Sequence, residues 1–533
     1  MKKSQSLLAK GLSLSFLTLC SRILGLIREM TKARFLGTSA LSDAFGIAFQ
    51  VPNFFRRLFA ENSVSVAFIP TFKKLLETNT DNDYDDNAQK KTTQDFINAT
   101  FTLVTFLTIL FVTIGMIFTP LILKIFFSKQ YSMAMEESIV LTRIMFPYLV
   151  VISIAALFQG ILNGLKIFSP SGFTPILFNS IVILFTYLLA PHMKNPARAM
   201  AVGVITGGCV QALFQIPFIL KNNWKCTFTT LKKAFTNEHT RTVLRLIGPT
   251  IIGMAAYQLN DIVSSALATR AGEGVYSSIQ YSLRLQELIL GICAVTIGTV
   301  ILPDLTGFVQ KQQWNDFCKM LALSINIMAV IAIPITFYSL LMKENIITLI
   351  FASGKFNAQS INMTQQVFSC HIVGLFFIAV NRITAPAFYA QQDTKSPTVA
   401  GLTNFSVNIV LAYLLSKSMG GKGIALALTI ASIANMILLF AFLKRNPAIH
   451  VSEVLKPAML YMTRIVLFSA IASVPVYFMK KPVIAAFSGR NRLISQGVPL
   501  CITACTFGIA GIILLIVTKD PLIKAIKEKL RHD

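Results

Sequence analysis

Arginines and carboxylates stand inside the first two apolar segments of this chain. Segments 8–36 and 40–76 carry Arg22, Arg28, Glu29, Asp43, Arg56, Arg57 and Glu61. An ionisable group at membrane depth costs about 2.5–3.5 kcal/mol on insertion scales. A chain that keeps several in adjacent spans is building a water-accessible polar site. The excess is cationic, so the ligand it suits is an anion. Guanidinium groups stay charged and grip phosphate oxygens in a fork.

Spacing sorts these residues onto faces. At about 100° per residue, Thr18, Arg22, Gly25 and Glu29 fall in one stripe of the first helix. Arg28 lies off that stripe by roughly a third of a turn. On the second helix Asp43, Gln50, Arg57 and Glu61 align if the helix is straight. Pro52 is expected to kink it, which would turn Arg56 inward instead. On a later span Gln280, Arg284, Glu287 and Gly291 share a face at i, i+4, i+7 and i+11. The functional reading is that Arg22, Arg28, Arg56 and Arg284 converge on a central cavity and bind substrate. The acids Glu29, Asp43, Glu61 and Glu287 would hold them when the site is empty. The competing reading is ion pairs between helices and interfacial anchors that snorkel. Arg143, Arg382 and Arg464 have no clear partner in the sequence and read as structural; the role of Arg57 stays open.

The elements that must position them are membrane helices. The chain has 533 residues, of which 54% are hydrophobic and 13% charged, with mean hydropathy +0.65. Soluble domains are about 25% charged. The apolar runs are continuous rather than alternating, which excludes a β-barrel. Hydropathy gives about 14 spans, at 8–36, 40–76, 92–119, 135–165, 173–191, 197–220, 241–270, 275–308, 315–342, 358–390, 396–416, 421–443, 456–479 and 493–518. The fold class is therefore an all-α polytopic membrane protein.

A weak repeat divides it. Ala33-Arg34-Phe35-Leu36-Gly37 leads through a polar-faced span to Phe68-Ile69-Pro70; Ala268-Thr269-Arg270-Ala271-Gly272 leads to Ile301-Leu302-Pro303. This predicts two six-helix lobes, 1–220 and 241–445, joined by a basic loop 221–240, with two further spans and a basic tail in 446–533. Both lobes keep one orientation, so the repeat is parallel. Lysine and arginine number roughly 25 on the inner loops and roughly 13 on the outer ones if both termini are cytoplasmic. One outer loop dissents, with Lys480, Lys481, Arg490 and Arg492.

Several function classes fall away. The net charge of +25 reads as topology signal, not nucleic-acid binding, because no basic stretch is interleaved with stacking aromatics. The eight cysteines form no CxxC pair and the five histidines are scattered, so neither a disulfide framework nor a metal centre is expected. Glu77–Lys91 is acid-rich but lacks the glycine and terminal glutamate of a calcium loop. Met1–Cys20 is similar to a lipoprotein signal, yet Leu19 is too large for that cleavage site, so a retained first span is expected. No nucleotide-binding loop or catalytic triad pattern is present. The chain reads as a transporter, not an enzyme.

Ser21-Arg22-Ile23-Leu24-Gly25-Leu26-Ile27-Arg28-Glu29 resembles the opening motif of the MurJ (MviN) lipid II flippases. The likeness continues through Asp43-Ala44-Phe45, Pro52-Asn53-Phe54-Phe55-Arg56-Arg57-Leu58-Phe59-Ala60-Glu61 and Ala67-Phe68-Ile69-Pro70. That family belongs to the MOP exporter superfamily and has a 14-span plan. The resemblance implies movement of lipid II, an undecaprenyl-diphosphate-linked sugar-peptide, across the bacterial inner membrane for cell-wall synthesis. It implies that Arg22, Arg28, Arg56 and Arg284 engage the diphosphate, and that the last two spans form a groove for the lipid tail. It implies no cofactor; membrane potential or a monovalent ion is the open question of coupling. Cell-wall synthesis enzymes are possible protein partners. Glu29 stands where the family usually has Asp, Ser39 and Asn62-Ser63 replace usual small residues, and Leu283 occupies a position that many members give to an acid. The alternatives are a flippase for another polyprenyl-diphosphate oligosaccharide, a cation-coupled exporter of the same superfamily, and a non-transporting scaffold for cell-wall enzymes.

Overall fold

The computed structural model describes residues 2–61, 67–77, 86–127 and 132–520. Helices make up almost all of it, and no strand occurs among the described residues. Two compact units are present, Met1–Ser277 and Ser278–Asp533.

In the first unit α1 runs unbroken from Lys2 to Leu36. Gly37 takes a left-handed turn, φ 63°, and Ser39 caps α2, Ala40–Phe55, by accepting from the Ser42 amide. A π-helical turn, Arg56–Glu61, follows. Pro52 lies inside α2, and the Arg56 amide still bonds to its carbonyl, so the helix continues past it to the π turn. The short helix α3 covers Ile69–Glu77. It is locked by Phe68 and Phe72, both fully buried among Phe96, Phe158 and Trp224. Next come α4 (Asp86–Leu123), α5 (Ser132–Met145), α6 (Tyr148–Gly164), α7 (Ser169–Leu189) and α8 (Pro196–Lys221). A short helix α9 (Leu231–Thr236) leads into α10 (Glu238–Ala271). Helix α10, expected to open the second lobe, is grouped here with the first unit.

Helix α11 (Val275–Gln310) crosses the boundary within its first turn. The second unit continues with α12 (Trp314–Phe351), α13 (Ala358–Val373), α14 (Leu375–Ala390), α15 (Lys395–Met419), α16 (Gly421–Leu443), α17 (Val451–Ala486) and α18 (Val498–Val517). Helices α12, α17 and α18 share a core of Met342, Ala472, Val476 and Phe507.

Among the described residues nine helical segments are long and apolar enough to cross a membrane, and α13 with α14 makes a tenth. The other four expected spans are α1, α2 with α3, α10 and α11. The count is consistent with 14.

Two expected single spans are broken. The 135–165 span divides into α5 and α6 beside Pro147. The 358–390 span bends by 42° between α13 and α14. There the Gly374 amide turns to the His371 carbonyl, and Thr429 Oγ1 donates to the Cys370 carbonyl left over, at 2.8 Å. A hydroxyl inserted into the ladder is a recognised cause of a kink.

Candidate functional site

Within the first unit, α1 and α7 pack side by side and present Arg28 at their junction with α2. The Arg28 guanidinium lies 5.7 Å from the Phe49 ring centroid and 5.9 Å from that of Phe178. Its Nη2 donates to Glu29 Oε1 at 2.9 Å. Two aromatic faces and one acid therefore hold the cation while leaving further donors in its fork. Arg22 sits partly buried two turns earlier. Lys32, not among the expected site residues, is buried one turn later, in the field of Glu29 and Asp43. Its position four residues after Arg28 was the available signal.

Arg56 and Arg57 diverge. Arg56 Nε donates to Asn53 Oδ1 at 2.6 Å. Arg57 Nη1 reaches α10, at 3.2 Å from both Gln258 Oε1 and Asp261 Oδ2. Glu61 closes the π-helical turn, and its side chain falls outside the described residues.

The stripe of Asp43, Gln50 and Arg57 exists, and it packs on protein. Asp43 is 4% exposed. Its Oδ2 accepts from the Gly274 amide at 2.7 Å. Its Oδ1 accepts from the Ser277 amide at 2.9 Å and the Ser277 hydroxyl at 2.6 Å. Gln50 donates to the Asp261 carbonyl and accepts from Tyr276 Oη. Gly46 lies on the same stripe; a Cβ there would stand 2.3 Å from Tyr276 Cε1. Gly274 has φ +76°, and a Cβ on it would meet the Thr38 carbonyl at 2.4 Å. A carboxylate at the first turn of a helix satisfies orphan amides and complements the dipole. So Asp43 serves α11 rather than an arginine. Neither Gln258, Asp261 nor Ser277 was singled out in the sequence. Only the seven-residue spacing of Asp43, Gln50 and Arg57 pointed to a partner face.

In the second unit Arg284 Nη1 lies 3.7 Å from Glu287 Oε2. Gln280, Arg284, Glu287 and Gly291 occupy the more accessible side of α11. The opposite side is anchored. Ser282 Oγ is 2.7 Å from His371 Nδ1, and Gln286 donates to the His371 carbonyl.

Two of the remaining intramembrane arginines have partners. Arg143 Nε donates to the Met116 carbonyl at 3.3 Å. Arg464 Nη1 lies 3.5 Å from Asp520 Oδ2, which is buried, and its Nη2 donates to the Thr518 carbonyl. Arg382 is exposed. Among the described residues no group of three His, Cys, Asp or Glu could hold a metal. The acids Asp81, Asp83 and Asp85 lie outside the described residues.

The family model of Lipid II flippase MurJ matches residues 32–490. A probable lipid II flippase MurJ of Treponema pallidum is 44% identical over 520 residues, covering 98% of this chain and 97% of that protein. A lipid II flippase MurJ of Burkholderia cenocepacia is 30% identical over 438 residues, covering 82% and 83%. Among solved structures, a lipid II flippase MurJ in an inward closed conformation aligns with TM-score 0.76 at 23% identity, over 96% of this chain and 99% of that one. An inward-facing MATE transporter of the MOP superfamily aligns with TM-score 0.63 at 14% identity, over 83% and 95%. These two show the fold.

Proposed function

The chain belongs to the lipid II flippase MurJ family, and on that premise we propose that it carries lipid-linked peptidoglycan precursor from the inner to the outer leaflet of the bacterial cytoplasmic membrane. The nearly full-length match to a flippase relative carries this reading. On this reading the protein is a transporter.

Arg22, Arg28, Arg56 and Arg284 are the proposed phosphate ligands. The observed pairings support that role. Glu29 and Glu287 each lie against one edge of an arginine. A diphosphate would compete for the same donors and bind in a fork. Asp43 has a different part: it latches the start of α11, and the latch must break when the outer end opens. Both termini lie in the cytoplasm. Membrane potential or a monovalent ion resets the cycle, at about 2.3 kcal/mol per charge per 100 mV.

The test is outer-leaflet exposure of lipid II in bacteria whose own flippase is shut off and replaced by this chain, with Arg284→Ala alongside. Exposure restored by the parent and lost in the variant supports substrate and clamp together. Restoration by parent and variant alike removes Arg284 from the clamp. No restoration despite good membrane expression points to another polyprenyl-diphosphate cargo.

A further inference from the structure

The segment between α8 and α10 is not a loose loop. It runs extended along α4, tied at every second residue to a stripe of that helix. The Lys225 amide donates to Gln94 Oε1 at 3.2 Å. The Thr227 amide donates to Asn98 Oδ1 at 3.0 Å. The Thr229 amide donates to Thr102 Oγ1 at 2.9 Å. The acceptors recur every four residues, one per helical turn, so they form one row. Ala234 of α9 then packs fully buried against Ala99 and Leu103.

This zipper fixes which side chains face outward. Phe228 is 68% exposed, and Leu231 and Phe235 are each 40% exposed. Lys225, Lys232 and Lys233 are exposed among them. Three large apolar groups would be a poor choice for a face bathed in water. Their depth explains them. The outward apolar belt of α4 begins with Phe106 and Leu107 and continues through Ile109 and Leu110. Thr102 lies only about 6 Å below Phe106 at the helical rise per residue. The Phe228 ring centroid is 4.8 Å from that of Phe101, on the same turn. The exposed apolar groups thus continue the lipid-facing surface where acyl chains give way to headgroups. Lysines at that level reach headgroup phosphates while their stems stay apolar. The sign is unopposed: residues 221–245 hold six Lys and Arg and a single acid, Glu238.

We infer that this pinned segment is a binding surface for anionic lipid of the inner leaflet, with Phe228, Leu231 and Phe235 inserted and Lys225, Lys232 and Lys233 on headgroup phosphates. Assignment to the inner leaflet rests on the orientation proposed above; the lipid contact itself does not.

The experiment uses the full chain in nanodiscs, where both faces are accessible. Phe228→Trp is measured against the parent, so that Trp224 and Trp314 are subtracted. Dibrominated phosphatidylglycerol should quench the new tryptophan more strongly than dibrominated phosphatidylcholine at equal mole fraction. Each lysine contributes about a fivefold preference, so Lys232→Glu with Lys233→Glu should abolish the excess. Equal quenching by the two lipids, or none above the parent, overturns the inference, as does an excess that survives the double reversal. Leu231→Trp repeats the reading if Phe228→Trp folds poorly. Separately, Thr230→Cys should react with an impermeant maleimide only in inside-out vesicles. Reaction in intact cells would overturn the inner-leaflet assignment while leaving the quenching result standing.

Discussion

Asp43 and Ser277 are joined twice, through the Ser277 amide at 2.9 Å and its hydroxyl at 2.6 Å. With the Gly274 amide on the other oxygen, the Asp43 carboxylate is surrounded by donors on both sides. Asparagine keeps its size but must aim an NH2 at one of those donors. Asp43→Asn should therefore fail as badly as Asp43→Ala. Hydrogen bonds to a charged group are worth about 1.5–3 kcal/mol each, so a fall of at least about tenfold in complementation is expected. A colony-forming titre in a flippase-depleted strain reads it. A near-parental titre for the asparagine variant would remove the latch from the mechanism.

Gly46 is predicted to tolerate no side chain. Its absent Cβ is the space that the Tyr276 ring occupies. Gly46→Val should overpack this contact at a cost of about 1–3 kcal/mol, seen as a lower melting temperature in detergent. Tyr276→Ala in the same chain should recover most of that loss. If the second change adds to the damage, the two residues do not share this space.

Arg56 and Arg57 are neighbours in sequence with different tasks. The Arg57–Asp261 pair has side chains 40% and 50% exposed, and such a pair is worth about 1 kcal/mol or less. Arg57→Ala should then reduce lipid II exposure far less than Arg56→Ala, and Asp261→Asn should resemble the former. The reverse order of severity would transfer the phosphate role to Arg57.

Cys226 offers a pH test of the pinned segment. Burial disfavours the thiolate and pushes this thiol up to about 12 from 9.0. At pH 8 the thiolate fraction is then about a thousandfold below that of an ordinary thiol. Maleimide modification, followed by mass spectrometry of its peptide, should be slow in the folded protein and rise with pH. Unfolding should restore the ordinary rate. The sign for stability follows: a raised thiol value favours folding below the ordinary thiol range, and that contribution is lost as pH climbs toward 12. Fast modification at pH 8 would mean that the segment leaves α4.

The helical class, the span plan and the family were legible because apolar length and a run of local motif residues encode them directly. Partner identity was not. Arg464 looked isolated because Asp520, its partner, lies 56 residues away beyond another span. The dissenting outer cations have a similar explanation. Lys480 Nζ donates to the Leu341 carbonyl beside the kink at Met342 of α12. Arg492 donates to the Ala352 carbonyl at the C-terminus of the same helix. Cations are favourable at helix C-termini, so these two serve local backbone and say little about sidedness. The breaks at Pro147 and Gly374 were also missed. Hydropathy averages over them, and the Thr429 hydroxyl that stabilises the second comes from a different helix.

The π-helical turn at Arg56–Glu61 has a genetic meaning. A π turn is an α-helix holding one residue more than its ladder needs. Removing a single residue there would let the ordinary ladder close with the helix on either side still in register. The same deletion in the regular part of α2 would instead rotate every following residue by about 100°. A one-codon deletion is thus expected to be better tolerated within Arg56–Glu61 than within residues 40–51.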